Sequence, residues 1–151
     1  MARYTADTIA KWMLAYNREK ADAEGADLIS NLKLQKLLYY AQGTYLGITG
    51  HPLFDDPIVA WEHGPVIVDI YHQYRDNHSK GIDFTDDFDF SQILSQDEAI
   101  LEAVYENFGQ YSAWKLRNMT HTETPWKSTP RNHIIDTKLI RDYFVEHYIE
   151  E

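Results

Sequence analysis

Cysteine is absent from the 151-residue chain. That excludes disulfides, thiolate metal sites and a cysteine nucleophile, and is compatible with a cytoplasmic protein. Long apolar runs are missing as well. None approaches the roughly 18 residues that a membrane span needs, and the opening MARYTADTIAKW lacks the apolar h-region of a secretory signal. The expectation is a cytoplasmic protein without a membrane partner. Basic residues are scarce: 14 Lys and Arg face 24 Asp and Glu, for a formal net charge of −10. Residues 76–106 carry nine acids opposed by Lys80 alone. Such a surface repels phosphates, so direct nucleic-acid binding is not expected. The bland reading of the acidic band is a solvated face, and the sharper one a docking surface for a basic partner.

Catalytic spacings are also lacking. There is no G-x-x-x-x-G-K-[ST] cradle for a nucleotide phosphate, no G-x-S-x-G elbow and no H-E-x-x-H. The seven histidines are scattered. DFTDDFDF has neither the glycine nor the bidentate glutamate of a calcium loop. Carboxylates are plentiful, but the sequence places none in a recognisably apolar setting that would raise its pKa for acid work. No metal and no cofactor is expected, and no catalytic residue is assigned.

What the chain does have is helical periodicity and aromatic bulk. Hydrophobic residues make up 44 %, with 4 Trp, 11 Tyr and 6 Phe, which suits one compact domain over residues 1–151. Ile9, Trp12, Met13 and Tyr16 form one apolar stripe behind the cap candidate Thr5. In SNLKLQKLLYYAQGTYLGITG, Ser30 is a cap candidate and Leu34, Leu37, Leu38, Ala41 and Tyr45 repeat at helical spacing. Lys36 and Tyr39 fall off that stripe and are therefore surface candidates. Gly43, Gly47 and Gly50 weaken the end of this helix, or allow close packing and a stop. Ile58–Glu62 suits a short edge strand, with IDFTDDFDF as its pairing candidate, and Gly64-Pro65 reads as the start of a helix with proline in its first turn. Ser95-x-x-Glu98 has the spacing of a capping box ahead of Ile100, Leu101, Val104, Tyr105 and Phe108. Ser112 opens a short helix carrying Trp114, Leu116 and Met119. A last helix is expected over Asp136–Glu150. The predicted fold is mainly α, about six helices with a minor short β element. All four tryptophans are expected in the core.

Two histidines have polar surroundings. His63, beside Glu62 in WEHGPV, lies just outside the expected helix start, where it is either a hydrogen-bonding corner or a proton-transfer group. His121 in THTETPW either handles a proton near Trp126 or bonds the end of the preceding helix while Trp126 closes the core. A small hydrolase-like enzyme using His63, Glu62 or His121 is the competing class to a binding module.

Three segments together resemble the Panacea domain, the family of SocA-like antitoxins and phage-associated proteins. They are Leu32-Lys33-Leu34-Gln35-Lys36-Leu37 followed by Tyr39-Tyr40; Ala60-Trp61-Glu62-His63-Gly64-Pro65-Val66 followed by Tyr71; and Thr120-His121 followed by Pro125-Trp126. The resemblance runs over residues 30–75 and 112–126. It implies a prokaryotic or phage antitoxin that neutralises a cognate protein toxin by direct contact. In at least one type, the antitoxin hands the toxin to an ATP-dependent protease as an adaptor. It marks Lys36, Tyr39, Trp61, Glu62, His63, Gly64, Tyr71, His121 and Trp126 as signature or partner-binding residues. Members often carry a separate DNA-binding domain; this chain is expected to have no room for one. A phage regulatory interaction protein without a toxin is a further alternative. In the binding reading, exposed tyrosines and acids meet the partner.

Overall fold

A computed structural model describes residues 2–77 and 79–149. Among them are seven α-helices and one two-stranded antiparallel sheet. The helices are α1 (Ala6–Glu24), α2 (Asn31–Thr49), α3 (Val68–Tyr74), α4 (Ser95–Phe108), α5 (Ala113–His121), α6 (Thr124–Lys127) and α7 (Thr137–His147). The strands β1 (Val59–Trp61) and β2 (Gly64–Val66) lie between α2 and α3. The last helix, expected over Asp136–Glu150, already ends at His147, and Tyr148 and Ile149 are not helical; Glu150 lies outside the described residues.

Local chemistry accounts for most helix boundaries. Thr5, Ser30 and Ser112 each accept a backbone N–H of the following turn, from Thr8, Lys33 and Lys115 respectively, satisfying donors that the helix itself cannot. α2 runs through Gly43 and Gly47 to Thr49 and stops at Gly50, whose φ of 77° is the left-handed conformation glycine adopts without strain.

α2 is the hub: it packs against α1, α3, α4, α5, α7 and β2. A single apolar cluster joins it to Trp12 of α1, Leu101 and Val104 of α4, Leu116 of α5 and Phe144 of α7. Close approach of α7 explains the glycines. A Cβ at Gly43 would run into the Phe144 ring, and one at Gly47 would come within 2.6 Å of Ile149.

Four expectations give way to the observed structure. Gly64-Pro65 does not begin a helix: it belongs to β2, and α3 starts at Val68. The Pro65 carbonyl, which a helix would need internally, instead accepts from Lys36 Nζ at 2.9 Å. IDFTDDFDF forms no strand among the described residues. Both edges of β1 are already taken, one by β2 and the other by the segment 132–135, where Ala60 N donates to His133 O at 2.9 Å and Ile135 N to Ile58 O at 2.8 Å. The capping box does not form either. Ser95 is inside α4, and the acids of that first turn reach across the core: Asp97 accepts Tyr4 Oη at 2.6 Å and Glu98 accepts Trp12 Nε1 at 2.9 Å. Finally, Trp114 is 58 % exposed and lies outside the core, whereas Trp12 is fully buried and Trp61 and Trp126 are half-buried.

Candidate functional site

Polar residues of α2 hold the hairpin from below. Gln35 Oε1 accepts the Ile67 N–H at 2.9 Å while its Nε2 donates to Asn31 Oδ1 at 3.0 Å; Asn31 Nδ2 donates to Tyr71 O at 2.9 Å. Lys36 is fully buried beneath β2. Burial, with the Arg117 guanidinium adding to it, pushes the Lys36 amine down to about 7. Gly64 is required here: its φ is 114°, and a Cβ would meet Lys36 Cε and Thr120 Oγ1 at 2.8 Å.

A second buried group sits at the junction of α2, α6 and α7. The Glu123 carboxylate accepts Tyr39 Oη and Tyr40 Oη, both at 2.9 Å, and Tyr148 Oη at 2.5 Å. Burial pushes Glu123 up, and the three hydroxyl donors pull it part of the way back. The hydroxyls respond in kind: burial, then the Glu123 charge or hydrogen bond, raises Tyr39, Tyr40 and Tyr148 above the ordinary phenol range. Three donors on one carboxylate offset much of the cost of burying a charge without a cation. Tyr40 also stacks on Phe108 at 4.1 Å between ring centres.

The hairpin turn, Glu62-His63, is exposed at the surface. Trp61 meets Tyr71 edge-to-face at 5.1 Å. A cleft of about 510 Å³ opens there, with Trp61, Glu62, His63, Tyr71, Gln35 and Arg75 among its lining. Behind the turn, Trp126 Nε1 donates to Trp61 O at 2.7 Å. The Trp126 ring stacks with His121 at 3.9 Å and 8° between planes, and the Arg131 guanidinium carbon lies 3.6 Å from its centroid. Two groups that close to one ring cannot share a face, so the indole is sandwiched. His121 is pushed down by burial and by the charges of Arg117, Lys36 and Arg131, which favours its neutral form. Arg117 Nε donates to His63 Nδ1 at 3.4 Å. No hydrogen bond joins His63 to His121 among the described residues.

The nine signature residues therefore divide. Trp61, Glu62, His63 and Tyr71 line one cleft; His121 and Trp126 buttress it from behind; Gly64 and Lys36 support it from within. Tyr39 lies apart, on Glu123. The surface placement of Lys36 and Tyr39 is wrong: both are completely buried. Stripe reasoning assumes a helix with one wet face, and from Leu34 to Gly43 every residue of α2 is buried against other elements. Among the described residues Tyr148, at 36 %, is the one exposed tyrosine, and half-buried Tyr71 lines the cleft. Sequence reasoning missed Asn31, Glu123, Arg117 and Arg131, and named Gln35 and Tyr40 only as members of a signature segment. The available signal was the polar set Asn31, Gln35, Lys36 and Gln42 inside an otherwise apolar helix, because a wholly buried helix carries polar side chains only where partners await them.

Neither Lys36 nor Glu123 lines the cleft at the hairpin. Among the described residues, no three His, Asp or Glu side chains are placed to share a metal ion, and no helix is long and apolar enough to cross a membrane.

The sequence profile of the family described as Antitoxin SocA-like, Panacea domain, matches residues 34–127, which include the α2 segment from Leu34, the hairpin and α5–α6. A curated relative, Antitoxin SocA of Caulobacter vibrioides (strain NA1000 / CB15N), is 34 % identical over 109 residues, covering 65 % of this chain. The chain spans 58 % of that relative's length. No solved structure matches the chain.

Proposed function

This chain belongs to the SocA-like antitoxin, Panacea-domain family, and on that premise we propose that it is an antitoxin that neutralises a cognate protein toxin by direct binding, without catalysis. The observation that carries this reading is the use to which the signature is put. Its polar groups bond inside the fold, Lys36 to Pro65 O and Trp126 to Trp61 O. What they hold in place is a hairpin tip beside an open cleft. A pre-organised surface of that kind loses little entropy on binding. An enzyme reading needs a base facing bound substrate. His121 has its ring stacked against Trp126 and its Nε2 buried without a partner, while His63 bonds Arg117 at an exposed turn.

Residues 1–151 are read as this one domain, because a single core cluster joins α1 to α7. The site of action is read as the cytoplasm, where a newly made toxin has to be met. Co-expression with the product of the adjacent gene tests the proposal: the product alone should arrest growth, and the pair should restore it. A harmless product, or toxicity that persists beside the antitoxin, removes the reading. An adaptor mechanism adds one observable. Toxin abundance would fall in a manner that depends on an ATP-dependent protease, whereas a simple mask leaves the toxin abundant in a stable complex.

A further inference from the structure

Cations are few on this chain, yet several gather on one side of it. Arg117 lies beside His63, and the charges of Arg117, Lys36 and Arg131 all reach His121. Arg75 lines the same cleft as His63. The chain has 24 acids, yet among the described residues none of them pairs with Arg75, Arg117 or Arg131. The ion pairs among the described residues involve Lys11, Arg18, Lys20, Lys138 and His147, and never Arg75, Arg117 or Arg131. The one large aromatic left well exposed, Trp114 at 58 %, is on the same face of α5, with the Arg117 guanidinium carbon 4.4 Å from its ring centre. Trp114, Arg117 and His121 fall at i, i+3 and i+7, a single stripe of that helix.

We propose that this face, Trp114 and Arg117 with the adjoining cleft bordered by His63 and Arg75, docks an acidic segment of protein chain that carries one bulky apolar anchor side chain. The proposal rests on the antitoxin reading only in taking that segment to be the toxin's.

Three features favour this occupant. The cleft, about 510 Å³ with Leu32, Trp61, Val66 and Tyr71 in its walls, is within the range of sites that bury an apolar group. Arg117 is already oriented by His63 Nδ1 and by Asn118 Oδ1, the latter at 3.0 Å from Nη1, so it offers a carboxylate a fixed fork. Range decides against nucleic acid. A polyanion feels the net charge of −10 along its whole length, whereas a short acidic segment has to be held only within a Debye length of about 8 Å of the cations. Among the described residues, Glu62 is the single carboxylate lining the cleft. It requires the acids of the segment to lie toward Arg117 and Arg75.

The test uses the full chain and short synthetic peptides: one rich in Glu with a single Phe, the same peptide with Lys for Glu, and one acidic but lacking Phe. A single-stranded oligonucleotide is the fourth probe. Binding is followed by tryptophan fluorescence at low and physiological salt. The Glu–Phe peptide should bind about tenfold or more tighter than the other probes. Arg117→Ser and Trp114→Ala should each cost about tenfold, and Glu62→Gln should tighten binding. Trp114 is exposed, so its replacement leaves the fold in place. Equal binding of the Lys peptide or the oligonucleotide, no binding of any peptide, or indifference to both losses overturns the proposal. A toxin arm separates the two readings. If wild type and both variants neutralise the toxin equally, the docking face is wrong and the antitoxin function stands. If the peptides follow the pattern but the neighbouring product is not bound, the docking face stands and the antitoxin function falls.

Discussion

Replacing Lys36 by Met should abolish a defined part of the pH dependence of stability. The substitution keeps the stem beneath β2 and removes the amine. In the folded protein that amine is pushed from 10.5 to about 7, first by burial and then by Arg117; in the unfolded chain it returns to the ordinary lysine range. Below about pH 7 both states hold the proton and the folded state carries the whole penalty of a buried cation. Between about pH 7 and 10 the unfolded chain binds more protons than the folded one, so stability rises with pH, by about 1.4 kcal/mol per pH unit. The full relief is on the order of 5 kcal/mol, and roughly 2.5 kcal/mol of it falls between about pH 7.5 and 9.5. Higher pH is unsuitable: Tyr39, Tyr40 and Tyr148 stay protonated in the fold when ordinary phenols ionise, which makes stability fall again above about pH 10. Urea unfolding followed by circular dichroism at the two pH values, for both proteins, gives the comparison. Wild type should gain about 2.5 kcal/mol more than Lys36→Met over that interval. The lost bond to Pro65 O shifts the variant by the same amount at both pH values and cancels. Equal pH dependence in the two proteins would mean that Lys36 is charged and solvated in the fold, and the placement beneath β2 would be refuted.

Tyr40→Phe keeps the ring stacked on Phe108 and removes one donor from buried Glu123; urea unfolding should show a loss of about 1–3 kcal/mol. Because burial raises Glu123 in the fold, the folded state takes up a proton first on acidification, so this group adds stability as pH falls toward its unfolded value of about 4.3. Glu123→Gln should flatten that gain in titrations of unfolding free energy. Gly43→Ala drives a Cβ into the Phe144 ring and should cost about 1–3 kcal/mol. The loss should shrink in a Phe144→Leu background, measured as a double-mutant cycle. Trp126→Phe removes the Nε1 bond to Trp61 O and should cost about 1 kcal/mol, with faster hydrogen exchange at the hairpin and little change in α1. Unchanged exchange at the hairpin would show that the tip is held by other contacts.

Much of the helical framework was legible because its causes are local. Caps at Thr5, Ser30 and Ser112 act over three residues, and apolar periodicity in α1, α4 and α7 follows from one wet and one dry face. The site was legible only as a set of names. The three signature segments were read in order, but nothing local reveals that Tyr39 and Tyr40 meet Glu123, which is 84 and 83 residues away. Ser95-x-x-Glu98 has the right spacing for a cap and still fails, because Trp12 offers Glu98 a better-buried donor.

The sequence by itself determined the helical class, most helix starts and the absence of thiol chemistry, since each depends on residues within a turn or on composition alone. Tertiary structure decided everything about WEHGPV. Enclosure of α2 turned Lys36 and Tyr39 from surface candidates into buried struts. Once Lys36 had claimed the Pro65 carbonyl, Gly64-Pro65 became strand and no longer a helix start. The segment 132–135 closed the free edge of β1 and left the acidic connector without a strand to join. Those outcomes depend on which elements meet, and a buried polar group takes its partner from whatever packing brings within about 3 Å.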